Sequence, residues 1–180
     1  MHASSSLYFA RFLRNIEEIL TAPFSYGEII ASYPVSGIIR AVLVGGGVYV
    51  IALFFTVATI QHFGLFLFYI LAVSAVFSLA GLLVGLWAEN FEHLSIPTTF
   101  VIMPLSFLGG MFNSIHMIPE RFQAAVKLNP FFYFVDGIRY SMIGVAESNR
   151  LFGISMIVAL VVVLGAWVWI LFKRGYKIKT

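Results

Sequence analysis

Between Ala41 and Ala88 the chain runs about 48 residues without an aspartate, glutamate, lysine or arginine. A full charge at the centre of a bilayer costs on the order of 2.5–3.5 kcal/mol, so a stretch like this is suited to hydrocarbon and not to water. At about 1.5 Å per helical residue it would be roughly 70 Å long, against a hydrocarbon core roughly 30 Å thick. One helix cannot use it all. Gln61 and His62, followed by Gly64, divide it into two crossing lengths, 37–60 and 63–88. The stretch reads as a transmembrane hairpin.

Two further charge-free stretches follow, 94–112 and 151–172, each long enough to cross. Hydrophobic residues make up 61% of the 180 and charged residues 11%, about half the charge of an ordinary soluble domain. The expectation is an all-α integral membrane protein with four transmembrane helices, forming a single domain over 1–180.

Charge sets the orientation. Arg11, Arg14 and Arg40 precede the first span, and Lys173, Arg174, Lys177 and Lys179 follow the last. The positive-inside rule places both ends in the cytoplasm, as an even number of spans requires. Arg40 then stands near the inner end of its span as an anchor that snorkels to headgroups. Glu89–His93 forms a short inner loop, and 113–150 faces outward with four of the eleven basic residues.

The outer segment is rich in aromatics: Phe122, Phe131, Phe132, Tyr133, Phe134 and Tyr140. Pro119 with Glu120 suits one helix start, and Asn129 as cap with Pro130 in the first turn suits another. Two short helices are expected, re-entrant or interfacial, before the last span. Asp136 and Arg139 are three apart on the second and can pair on one face. Gly81 and Gly85 form a small-x-x-x-small step suited to close helix packing.

Before the first span, over 7–35, Ile16, Ile19 and Leu20 share one helical face while Arg14, Glu17 and Glu18 lie on another. Pro23 ends that helix, and Ser25–Glu28 has capping-box spacing for a further short helix leading to Pro34. An amphipathic helix held at the cytoplasmic surface is the reading.

Several chemistries find no support. The chain has no cysteine, and no two of its four histidines have metal-ligand spacing, so neither a metal nor another cofactor is expected. The intramembrane serines Ser74, Ser78 and Ser106 can bond the carbonyl one turn back and offer no activated nucleophile. Basic residues gather at span ends, which is no nucleic-acid signal. No Gly-rich phosphate loop ending in Lys-Ser or Lys-Thr is present. Glu89, Glu92 and His93 are the only candidates for an intramembrane enzyme acting on lipid or glycan, and sparse Ser and Thr argue little for a channel.

Five segments resemble, in order, the permeases of the type-2 ABC exporter family. They are Arg14-Asn15-Ile16-Glu17-Glu18-Ile19-Leu20-Thr21-Ala22-Pro23, Phe77–Gly85, Pro97–Val101, Pro104–Phe112 and, most specifically, Leu128-Asn129-Pro130-Phe131-Phe132-Tyr133-Phe134-Val135-Asp136-Gly137-Ile138-Arg139-Tyr140. The likeness is closest to the bacterial subgroup exporting polysaccharide, lipooligosaccharide or drugs. It implies a multi-pass inner-membrane permease that pairs with a second copy, sits in membrane lipid and is driven by a separate ABC ATPase subunit. It implies that 14–20 is the coupling helix, with Arg14, Glu17 and Glu18 contacting the ATPase. It also implies re-entrant outer helices, with Asp136 and Arg139 on the second. Family members have six spans, so the resemblance covers the C-terminal two-thirds. The alternatives are the lipid- or glycan-directed enzyme above and a truncated permease that does not function.

Overall fold

The computed structural model describes Ser5 and residues 26–55, 59–111 and 115–174. Among the described residues the chain is all-helical. Three helices are long and apolar enough to cross a membrane: α1 (Tyr26–Phe55), α2 (Phe63–Trp87) and α6 (Arg150–Lys173). Between the last two come α3 (Met103–Leu108), α4 (Glu120–Leu128) and α5 (Pro130–Ile143).

Two expectations change in detail. Pro34 does not separate a short helix from the first span; it lies inside one continuous helix of 30 residues. A proline costs one ladder hydrogen bond, and membrane helices tolerate that where neighbours and local adjustment compensate. Arg40 is therefore the fifteenth residue of its helix, not a residue at its inner end. The second change concerns 94–112, which is not one regular helix. A 3₁₀ turn, Phe91–Leu94, leads into a π-helical turn, Thr98–Ile102, and then into α3, which stops at Gly109.

α1 and α2 pack as a hairpin, closest where Gly37 abuts Ser78: a Cβ added at Gly37 would overlap the serine hydroxyl. Gly81 and Gly85 follow on the same face of α2, one and two turns on, and both are buried. α6 runs parallel to α2, joining Leu79, Leu82 and Leu86 to Val168 and Phe172 at one end. At the other end Tyr69 and Val76 meet Ile157 and Phe134 of α5. Most of the remaining apolar surface is exposed in the single chain, Phe54 and Phe55 at 84% and 85%. That is the surface of a protein whose solvent is lipid.

The segment before the last span forms two helices. Asn129 caps α5, its side chain accepting from the Phe131 N–H at 3.0 Å, with Pro130 in the first turn. α5 lies along the α2–α6 pair. Its first turn brings Phe131 to Phe77, the fifteenth of α2's 25 residues, with ring centroids 5.4 Å apart. Its last turn bonds the opposite end of α2, where the His62 N–H donates to the Ser141 carbonyl at 2.9 Å. Gly137 permits this approach, since a Cβ there would overlap the Tyr69 ring.

Candidate functional site

The charge cluster sits where α5, the 144–149 loop and the end of the α3 segment meet. Gly144 closes α5 in the left-handed region (φ 75°), which glycine adopts without strain, and turns the chain back towards α5. The returning loop brings Glu147 and Ser148 onto Asp136. Asp136 is 2% exposed, yet both carboxylate oxygens are occupied. Oδ1 accepts from the Glu147 N–H at 2.9 Å; Oδ2 accepts from the Ser148 N–H at 2.9 Å and from the Ser148 hydroxyl. A buried carboxylate needs such donors, because leaving it unsatisfied costs several kcal/mol.

Arg139 occupies the adjoining position. Its Nη1 stands 3.0 Å from Glu147 Oε1 and 3.9 Å from Asp136 Oδ1, and its Nη2 donates to the Gly110 carbonyl at 2.9 Å. The nearer partner of Arg139 is thus Glu147, which helical spacing did not disclose. Glu147 Oε2 in turn accepts from the Ile115 N–H at 2.9 Å. Asp136, Arg139 and Glu147 together tie α5 to its loop, to the end of the α3 segment and to the approach to α4. Asn129 adds a second tie, donating to the Leu105 carbonyl at 2.7 Å, and Gly109 lies against Phe131.

Beside this cluster an open cavity of about 570 Å³ is lined by Leu65, Tyr69, Tyr140, Ser148, Arg150 and Ile154, among others. The Arg150 guanidinium lies 4.4 Å over the Tyr140 ring, and His62 stacks on the same tyrosine with centroids 5.1 Å apart. Tyr133 donates its hydroxyl to the Lys127 carbonyl. The arrangement holds helices and lines a cavity. It presents no nucleophile beside a free base, and among the described residues no three His, Cys, Asp or Glu side chains gather as a metal site.

The other sequence-derived residues fall elsewhere. Gly81 and Gly85 are buried on α2, on the face that carries Ser78. Glu89, Glu92 and His93 sit at the opposite end of the bundle, where His93 stacks on Trp87 with centroids 5.2 Å apart. Arg14, Glu17 and Glu18 lie outside the described residues.

Comparison with known proteins places this geometry in context. The family model for ABC-2 type transporters matches residues 1–143. The inner membrane transport permease YadH of Escherichia coli K12 is 37% identical over 180 residues, 99% of this chain and 70% of YadH. Nodulation protein J of Rhizobium leguminosarum bv. viciae is 27% identical over 154 residues, covering 83% of this chain and 58% of that protein. No solved structure matches the chain.

Proposed function

The chain belongs to the ABC-2 type transporter family, as the membrane permease subunit of an ABC transporter, and from that premise we propose that a separate ATPase subunit drives it. The observation that carries this reading is the match to YadH across 99% of the chain, supported by three apolar helices of crossing length. ATP binds and is hydrolysed in the partner; this chain supplies the path. Its ends face the cytoplasm, where six of its eleven basic residues lie, Arg11 and Arg14 before the first span and Lys173, Arg174, Lys177 and Lys179 after the last. The helix around 14–20 enters a groove on the ATPase, and Arg14, Glu17 and Glu18 make the polar contacts. A rigid helix continuous with the next span can carry a push from a closing ATPase dimer into the membrane.

Two copies of the permease assemble around the cargo path in the inner membrane. On the outer face α4 and α5 re-enter the bilayer. The support is the reach of α5 from the 61–62 turn to Phe77, more than halfway along α2. In that position a charged cluster would face low dielectric, and the complete pairing of Asp136, Arg139 and Glu147 is what such an environment demands.

The test is purification of the tagged full-length permease from native membranes in mild detergent, with mass spectrometry of what accompanies it. An ABC ATPase should co-purify and should be lost on reversing Glu17 and Glu18 to lysine. An ATPase retained by the reversed protein would remove those residues from the contact.

A further inference from the structure

Arg40 stands at mid-depth of the bundle on an exposed face of α1. The register comes from two contacts. Gly37 abuts Ser78, and Ile38 shares an apolar groove with Ala72 and Ala75. Arg40, about 4.5 Å further along, is level with Ala75, the thirteenth of the 25 residues of α2. It is thus roughly 18 Å from either end of α2. Snorkelling shortens that distance without closing it.

A guanidinium at this depth needs a counter-charge. Among the described residues none lies within bonding distance of it. Every acidic residue of the chain lies at Glu28 or earlier, at Glu89 or Glu92, or from Glu120 to Glu147. The nearest along α1, Glu28, is twelve residues away at the bundle end. Asp136 and Glu147 are engaged with Arg139 and the 147–148 loop. Among the described residues no carboxylate stands level with Arg40.

The surface leading to it is polar. Glu28, Ser32, Ser36 and Arg40 follow at intervals of four, which sets them along one face, and all four are exposed. The Ser36 hydroxyl donates to the Tyr33 carbonyl, which leaves its oxygen able to accept. Past Arg40 the face turns apolar, at Val44 and Gly47. A polar stripe that begins at the bundle end and stops at a mid-depth guanidinium has the form of a route with a station on it. The guanidinium fork matches the oxygens of a phosphate in two parallel hydrogen bonds. A resident lipid keeps its headgroup at the interface, roughly 15 Å from the midplane, so the headgroup that meets Arg40 is one in transit.

We propose that Arg40 binds the anionic, phosphate-class headgroup of the transported molecule at mid-membrane, reached along the Ser32–Ser36 stripe. This rests on the transport reading above.

The full permease, with its ATPase, is placed in phosphatidylcholine nanodiscs and labelled with phosphatidic acid carrying a photoactivatable acyl chain. Neutral diacylglycerol with the same chain is the control. Labelling by phosphatidic acid should concentrate on α1 around Arg40 and exceed that by diacylglycerol about tenfold. It should fall by a similar factor in Arg40→Gln, persist in Arg40→Lys, and drop when ATP is added. Equal labelling by the two probes in the natural protein overturns the site, whether or not the variants fold. Labelling indifferent to ATP assigns the anion to a resident lipid and overturns the cargo assignment. A bound, active ATPase with no anion preference overturns Arg40 alone, whereas a permease that purifies without ATPase counts against the transport reading, with the probe comparison still reporting on Arg40.

Discussion

Arg139 and Glu147 pair across the loop between α5 and α6, with Nη1 and Oε1 3.0 Å apart. Eight residues separate them, which in a continuous helix would be about 12 Å along the axis and too far for an ion pair. The pair exists because Gly144 ends α5 and Asp136 catches the returning backbone. Glu147→Gln should destabilise the folded permease by about 1–3 kcal/mol, the cost of removing one partner of a charged, partly buried pair. Arg139→Met combined with Glu147→Gln should lose less than the sum of the two single changes. Denaturant titration in detergent reads this as a double-mutant cycle.

Asp136→Asn is expected to be as damaging although it is nearly isosteric. Both carboxylate oxygens accept from N–H groups, so an amide must turn its own N–H₂ against a donor. The loss should be about 2–3 kcal/mol, and it should be accompanied by faster amide exchange at Glu147 and Ser148.

Glycines of this chain should divide into two kinds. Gly137→Ala forces a methyl into the Tyr69 ring and should lower the thermal midpoint clearly, with partial recovery in Tyr69→Leu. At Gly46 a Cβ meets nothing within 4 Å, so Gly46→Ala should raise helix stability by about 0.5–1 kcal/mol. A Gly46→Ala protein that is folded but loses transport would mark a close approach by another subunit on that face. Thermal unfolding and transport, measured side by side, separate these outcomes.

Gly37→Ala should weaken the α1–α2 hairpin through collision with the Ser78 hydroxyl, and Ser78→Ala should relieve much of it. Disulfide trapping between cysteines placed on α1 and α2 reports the change in hairpin geometry.

The sequence disclosed the elements whose cause is local. Absence of charge marked the hairpin and the last span, and Asn129-Pro130 marked the start of α5 because cap and first-turn preferences act within three residues. It placed Pro34 as a boundary because proline is a strong breaker in water. In the bundle the helix runs through it, and Arg40 is the fifteenth of its 30 residues. The third apolar stretch carried the right composition, but composition does not report the π turn at 98–102. The partners of Arg139 and Asp136 were hidden for another reason. They come from a loop, where contacts depend on how Gly144 redirects the chain and not on any repeat in the sequence.

Native mass spectrometry of the complex solubilised from its own membrane decides whether the chain works as the passive half of an ATP-driven pump. Two permease copies with two ABC ATPase subunits are expected, dissociating to permease alone when Glu17 and Glu18 are both lysine. A folded, monodisperse permease that carries no ATPase in the natural sequence would contradict the proposed drive.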